Sequence, residues 1–185
     1  HKLMMSRQEC LDAAVWAVEF AKKNLDYIEF SAEDASRTDH DFLVQIFSEV
    51  IQAGAVTLNV PDTTGYATPQ QFGALFQYLQ ENVRGGKDLT WSAHCHNDLG
   101  LAVANSLAAI ENGARQVECT INGLGERAGN TALEEVVMAL RVRNDIMPYA
   151  TGIDTTKIMN LSRRVSAVSG FAVQFNKAIV GKNAF

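Results

Sequence analysis

The chain has 185 residues, of which 47% are apolar and 20% charged, and 16 Lys and Arg against 21 Asp and Glu give a formal net charge of −5. This composition is typical of a globular protein and argues against disorder, collagen or a coiled coil. The basic residues are scattered, so no basic patch predicts a nucleic-acid partner. Because no apolar run approaches the ~18 residues that span a bilayer, we expect no membrane partner and a soluble, cytoplasmic protein.

The cysteines and the start of the chain carry two further expectations. The chain has an odd number of cysteines, Cys10, Cys95 and Cys119, and none of them forms a C-x-x-C pair. This pattern predicts free thiols in a reducing compartment. The sequence opens on His1 and soon enters a helical pattern. We therefore expect a chain whose first part is missing.

Segments of helical and strand-like periodicity alternate along the chain. Helices are predicted over 7–24, 39–53, from Thr68 onward, 99–112 and 131–143, and strands begin near residues 27, 56, 89 and 116. One helix between successive strands predicts parallel strands joined by right-handed crossovers. An open doubly wound sheet and part of a (β/α)₈ barrel both satisfy this pattern.

Several local patterns refine these elements. Capping boxes are predicted at Ser6 with Glu9, at Thr68 with Gln71, and at Thr131 with Glu134. Trp16 and Trp91 are predicted to lie in the core. After Pro148 the alternation stops, and a last helix is predicted between Asp154 and Gly170, followed by an apolar segment over 171–181 without an evident partner.

The predicted strands end in polar residues. In both architectures the functional face lies at the carboxyl ends of the strands, so these segments should meet. They are Ser31–Asp34, Pro61–Gly65, His94–Asp98 and Asn122–Asn130. Some have structural alternatives: Asn97 or Asp98 can cap the helix that follows, and Asp62 and Thr63 can form a turn.

His94 and His96 are the strongest candidates for chemistry. Residues two apart on a strand point to the same side, so both imidazoles can bind one metal ion while Cys95 packs on the other side. The alternative is a histidine pair that only hydrogen-bonds near a strand end. A divalent ion such as Zn²⁺ or Mn²⁺ with open positions would polarise a substrate carbonyl. Candidates to complete the shell are Asn130, Asp98, Glu33 and Glu126.

The loop after the fourth predicted strand matches a dinucleotide-binding pattern. Residues 123–128 read G-x-G-x-x-A. The fingerprint requires a helix that begins within the glycine loop, whereas the predicted helix begins only at Thr131, and Glu126 places a carboxylate where a pyrophosphate would lie. Nucleotide binding is therefore the weaker hypothesis.

Four motifs together resemble one family. They are FSAEDASR (30–37), NVPDTTGY (59–66), HCHNDLGLAVANS (94–106) and NGLGERAGN (122–130). In order and spacing they resemble the 2-isopropylmalate synthases, in the acetyl-CoA-dependent Claisen-condensing branch of the metal-dependent TIM-barrel lyases and synthases. The resemblance covers residues 3–185. The same branch contains homocitrate, citramalate and methylthioalkylmalate synthases, which remain alternatives.

The resemblance implies a divalent metal ion (Mn, Zn or Mg), acetyl-CoA as co-substrate and a homodimer. The metal would hold a 2-oxo acid, 2-oxoisovalerate, and the enolate of acetyl-CoA would attack it in the first committed step of leucine biosynthesis. The resemblance makes His94, His96 and Asn130 metal residues, Ser31, Glu33 and Thr63 substrate-binding residues, and Glu33 and Glu126 catalytic candidates.

The resemblance also implies an incomplete barrel. Residues 1–147 would form its C-terminal half, strands five to eight, and 148–185 its final helix and the start of a linker. The family's first-strand arginine-aspartate motif, its catalytic histidine and its leucine-binding domain have no counterpart here. We therefore expect the 185 residues alone to be inactive, and a non-catalytic half-barrel that binds a metal or a partner chain is the competing hypothesis.

Overall fold

A sheet of four parallel strands forms the centre of the computed structural model, which describes residues 4–184. The strands are β1 (Glu29–Ser31), β2 (Thr57–Asp62), β3 (Thr90–Cys95) and β4 (Gln116–Glu118). Each strand pairs with the next one in the chain, in the order β1-β2-β3-β4. A doubly wound sheet reverses its strand order at a switch point, whereas a (β/α)₈ barrel adds strands in sequence. The order seen here is that of a barrel.

Helices connect the strands and extend beyond them. They are α1 (Arg7–Lys22), α2 (His40–Ala53), α3 (Pro69–Asn82), α4 (Ala102–Glu111), α5 (Leu133–Val142) and α6 (Ile158–Ser169). The capping boxes predicted at Ser6 and Thr68 are both confirmed. No helix within residues 4–184 is long and apolar enough to cross a membrane.

Helix α4 and strand β4 are shorter than the sequence predicts. Helix α4 begins at Ala102 instead of residue 99, because Gly100 takes a φ of 72° and the Asn97 side chain accepts the Ala102 N–H at 3.1 Å. Asn97 therefore supports the helix start, as one alternative predicted. Strand β4 is predicted over 116–121 but ends at Glu118, because 121–123 forms a 3₁₀ turn in which Asn122 has a φ of 63°.

The capping box predicted at Thr131 and Glu134 is wrong. The Thr131 hydroxyl lies 2.9 Å from that of Ser106, and the Glu134 carboxylate accepts the Asn122 N–H at 3.0 Å. Helix α5 instead follows Ala132, whose methyl group cannot cap it. Tertiary hydrogen bonds have taken the side chains that the local pattern assigned to capping.

One face of the sheet is apolar and packs under the helices. Alternate side chains of β2 and β3 supply it: Leu58, Val60, Trp91, Ala93 and Cys95, all 2% exposed or less. The Trp91 ring meets Phe47 and Phe76 edge to face, with centroids 5.5 and 6.4 Å away. The core position predicted for Trp91 is confirmed.

The core position predicted for Trp16 is wrong, because its side chain is 65% exposed. Leu11, Ala14 and Val18 are the buried residues of α1. Trp16 lies off this stripe and stacks on Phe20, with ring centroids 5.5 Å apart. Helical periodicity, more than side-chain size, decides which residues of α1 are buried.

The segment after α6 finds a partner among the helices. Gly170 ends α6 with a φ of 77°. Val180 is buried in a small cluster with Val137 of α5 and Ile158 of α6. Val173 and Val180 of the apolar segment over 171–181 therefore pack on the last two helices, whereas Phe171 and Phe175 remain 68% and 63% exposed.

Replacing Trp91 with alanine is expected to lower the free energy of unfolding by about 4 kcal/mol, because a fully buried aromatic ring leaves a cavity. Urea unfolding followed by circular dichroism measures this. Trp91→Phe keeps a ring and removes the indole N–H that donates to the Gly86 carbonyl at 2.8 Å, so its loss should be less than half as large. Equal losses of stability in the two variants would contradict packing of the ring as the main source of the effect.

Candidate metal and substrate site

The second face of the sheet is polar. Strand pairing places Ser31 opposite Asn59, Asn59 opposite Ser92, and Ser92 opposite Gln116 in one row across the sheet. The next row, toward the carboxyl ends, holds Pro61, His94 and Glu118. Because side chains alternate along a strand, this face is opposite the apolar one.

His94 and His96 face each other at the end of β3. Their Nε2 atoms are 3.0 Å apart, and the ring planes are inclined by 57°. Cys95 lies between them on the opposite side, where burial raises the pKa of its thiol to about 12. The packing role predicted for Cys95 is confirmed, since a buried thiol of such a pKa is an inert one.

The second nitrogen of each ring has a different partner. His94 Nδ1 lies 2.7 Å from Glu118 Oε2, whereas His96 Nδ1 faces the guanidinium of Arg127. Burial first, and then the nearby His94 and Arg127, lower the pKa of His96 below its usual range. Its neutral form, which is the form that binds metals, is therefore favoured to lower pH than usual. A guanidinium can only donate, so in this conformation His96 Nδ1 accepts from Arg127 and the ring's own proton is on Nε2, facing His94. Metal binding at His96 Nε2 therefore requires Arg127 to release Nδ1 so that the proton can move there.

Arg127 joins three strand ends. Its Nε and Nη2 atoms donate to the two Asp98 carboxylate oxygens at 2.7 and 2.8 Å, and Nη2 also donates to the Thr63 carbonyl at 2.7 Å. The hydrogen bond from Arg127 lowers the pKa of Asp98. Asp98, a candidate ligand from the sequence, is therefore engaged in this bidentate pair.

The histidine pair fits the geometry of a metal site. Two ligand nitrogens at ~2.1 Å from one ion and at right angles to each other lie about 3 Å apart, close to the distance between the Nε2 atoms. Asn130 forms an isolated antiparallel bridge with His96. Its Oδ1 is buried and has no hydrogen-bond partner in the part of the chain that the structure describes. Two imidazoles and an amide oxygen without a partner are donors that a divalent ion accepts.

The other candidate residues lie around this pair without joining it. Within residues 4–184, no three His, Cys, Asp or Glu side chains come together as a metal-binding group. The Glu126 side chain is 75% exposed and lies 3.3 Å from Arg127 Nη1. Glu33 is exposed in the turn after β1. The described residues therefore supply part of a coordination shell.

Ser31 and Thr63 form hydrogen bonds that connect neighbouring strand ends. The Ser31 hydroxyl accepts from Asn59 Nδ2 at 2.9 Å, and the Thr63 hydroxyl accepts from the Asp34 backbone N–H at 2.9 Å. Asp62, by contrast, is fully buried and accepts the N–H groups of Tyr66 and Ala67, both at 3.1 Å. The turn-forming alternative holds for Asp62.

Sequence reasoning missed Asn59, Glu118 and Arg127. For Asn59 and Glu118 a signal existed, since both are polar residues inside predicted strands and strand periodicity places them beside His94. No such signal marks Arg127, because its side chain reaches His96 from an irregular loop in which its own backbone has a φ of 55°.

Close backbone packing shapes the loop over 121–130. A Cβ atom at Gly129 would collide with the Gly123 carbonyl, and one at Gly125 would collide with the Asn130 side chain. Helix α5 begins at Leu133, after the loop. The helix N-terminus that a dinucleotide site requires within its glycine loop is therefore not there, as the sequence predicts.

The sequential parallel sheet and the imidazole pair at its carboxyl edge define a barrel-type α/β protein with a candidate metal site. A family model described as HMGL-like matches residues 1–165, and the chain belongs to that family.

Two similar proteins are 2-isopropylmalate synthases. The chain is 60% identical over 185 residues to 2-isopropylmalate synthase 1 of Caldanaerobacter subterraneus subsp. tengcongensis, covering 100% of the chain and 47% of that protein. It is 61% identical over 184 residues to 2-isopropylmalate synthase of Chromobacterium violaceum, covering 36% of it. The resemblance drawn from the four motifs is confirmed, and the chain spans between a third and a half of these relatives.

Solved structures share the fold. A hydroxymethylglutaryl-CoA lyase from Pseudomonas aeruginosa superposes with a TM-score of 0.72 at 22% identity, over 90% of this chain and 57% of that one. An HMG-CoA lyase from Acinetobacter baumannii, in complex with coenzyme A and 3-methylmalate, gives 0.74 at 22% identity over 98% and 61%. At this identity the comparison supports the α/β fold alone.

Proposed function

We propose that this chain forms the C-terminal half of the catalytic barrel of a 2-isopropylmalate synthase. The enzyme would condense acetyl-CoA with 2-oxoisovalerate, and hydrolysis of the thioester by water would give 2-isopropylmalate and CoA. The observation that carries the proposal is the histidine pair at the carboxyl edge of the sheet, in a chain 60% identical over its whole length to a protein of that name. On this proposal β1 to β4 are barrel strands five to eight.

The proposed domain division follows the same reasoning. Residues 1–147 would belong to the barrel, and 148–185 would form its final helix and the start of a linker. The packing of Val180 against α5 and α6 supports a segment that remains in contact with the barrel after its last helix.

The proposed metal is a divalent ion held by His94 and His96 with Asn130 beside them. When bound, such an ion supplies Lewis-acid polarisation of the 2-oxo acid carbonyl. The lowered pKa of His96 supports this role, because the ring must be neutral to donate a lone pair. The carboxylates of residues 4–184 do not complete the coordination shell of this ion. Positions therefore remain for substrate oxygens and for further ligands.

The residues around the pair would bind and orient the 2-oxo acid. Ser31 and Thr63 present hydroxyl groups at neighbouring strand ends, and Glu33 lies exposed in the turn that follows β1. Glu33 would hold or move a proton near the reacting carbon, as positioned carboxylates do. Glu126 would support the loop through Arg127, 3.3 Å away.

A thiol-release assay tests the proposal. The full-length protein, loaded with Mn²⁺, Zn²⁺ or Mg²⁺ in turn, is given acetyl-CoA and one 2-oxo acid, and free CoA is measured with a thiol reagent. We expect the fastest release with 2-oxoisovalerate. A preference for 2-oxoglutarate or pyruvate would assign a homocitrate or a citramalate synthase instead. No release with any 2-oxo acid from folded, metal-loaded full-length protein would refute the synthase.

Replacing Glu33 with glutamine is expected to reduce turnover by about 10² to 10⁴-fold, because the amide keeps the shape of the carboxylate but cannot take a proton. Metal content should not change. Glu81→Gln, an exposed position on α3, is the matched control and should be silent. Unchanged turnover in Glu33→Gln would remove Glu33 from the catalytic residues.

A further inference from the structure

We propose that Glu118 is the positioning residue of this site: it fixes the ring of His94 so that Nδ1 carries the proton and Nε2 presents its lone pair to the metal. This inference rests on the proposed metal site. None of the residues predicted from the sequence performs this task.

The contact between the two side chains determines the tautomer. Glu118 Oε2 lies 2.7 Å from His94 Nδ1. An ionised carboxylate can only accept a hydrogen bond, so the proton of a neutral His94 ring must be on Nδ1. The lone pair is then on Nε2, which is the atom turned toward His96 at 3.0 Å. Carboxylates commonly orient metal-binding histidines in this way.

The carboxylate itself is held by the neighbouring strands. Parallel pairing of β3 with β4 places Glu118 directly opposite His94. Asn59 of β2, which is only 2% exposed, donates to the same Glu118 oxygen at 3.1 Å and to the Ser31 hydroxyl at 2.9 Å. The orientation of His94 is therefore set by a chain of hydrogen bonds that runs from Ser31 through Asn59 to Glu118.

The two histidines differ in this respect. His96 Nδ1 faces the cation of Arg127, whereas His94 Nδ1 faces the carboxylate of Glu118. A carboxylate at Nδ1 holds the ring in the tautomer and orientation that leave Nε2 available to a metal, and a cation that donates to Nδ1 does not. Glu118 should therefore contribute to metal affinity through His94, independently of the chemistry that follows.

Cobalt titration tests this proposal without relying on catalysis. The metal-free full-length protein is titrated with Co²⁺, and the dissociation constant is measured from visible absorption and by calorimetry. We expect Glu118→Ala to weaken Co²⁺ binding by about 10 to 100-fold and to change the absorption spectrum. Glu118→Gln, whose amide oxygen can still accept from Nδ1, should recover part of this loss. Glu111→Gln, at the exposed end of α4, is the matched control.

The outcomes separate this proposal from the proposed function. Wild-type affinity and spectrum in both folded Glu118 variants would overturn the positioning role, as would a wild-type protein that binds no Co²⁺. If Glu118→Ala does not fold, Glu118→Gln alone decides, and an unchanged dissociation constant there refutes the role. A wild-type protein that binds Co²⁺ but releases no CoA would refute the synthase while the loss in the variants still supports Glu118.

Discussion

Replacing His96 with alanine is expected to reduce CoA release by at least about 10³-fold, because the loss of one metal ligand removes several kcal/mol of transition-state stabilisation. Metal content should fall in parallel. The fold should persist, since the His96 ring packs against polar neighbours, His94 and Arg127, and contributes nothing to the apolar core. The measurements are the thiol-release assay and the metal content of dialysed protein.

His40→Ala is the matched control for this substitution. His40 is exposed at the start of α2, where its ring lies 5.3 Å from that of Tyr78. The same change of residue there should alter neither turnover nor metal content. A His96→Ala protein that retained its metal and its activity would refute the metal site.

Replacing Asp62 with alanine is expected to destabilise the protein by about 4 kcal/mol, because several donors to a buried carboxylate lose their acceptor at once. Asp62 is fully buried at the end of β2. It accepts the Ser36 hydroxyl at 2.7 Å, the backbone N–H groups of Tyr66 and Ala67 at 3.1 Å, and the Asn105 amide at 3.4 Å. One carboxylate thus connects three segments, and urea unfolding measures its contribution.

Two further variants test whether the buried carboxylate accounts for this loss of stability. Asp62→Asn keeps the shape but replaces one acceptor by a donor that faces other donors, so it should lose at least half as much stability. Asp26→Ala, at an exposed position before β1, should change the free energy of unfolding by less than about 0.5 kcal/mol. Loss of activity without loss of stability in Asp62→Ala would contradict a structural role.

The repeating units of the fold could be predicted because each is specified locally. The buried run of β2 and the Gly54 stop after α2, with its φ of 116°, identify their elements without tertiary information. Strand order could not be predicted from periodicity, because it depends on pairing between distant segments. The capping box at Thr131 failed for a related reason: its side chains bond to distant residues.

Part of the candidate site could be predicted because the two histidines are two residues apart on one strand and strand geometry alone brings them together. Glu118 and Asn59 reach His94 only through the register of neighbouring strands. Arg127 reaches His96 only because its loop takes a left-handed turn. Strand alternation can place Asn59 and Glu118 on the same face as His94, but the contacts themselves are specified by the assembled sheet and by the loop.

The crowded glycines of the loop over 121–130 explain why a pattern search confuses two unrelated kinds of site. In a dinucleotide site the glycines allow a pyrophosphate to approach the main chain. Here Gly125 leaves room for the amide of Asn130, and Gly129 leaves room for the carbonyl of Gly123. The same glycine pattern therefore indicates only that space is needed next to the main chain. Whether a ligand or another part of the protein fills that space depends on the neighbouring groups.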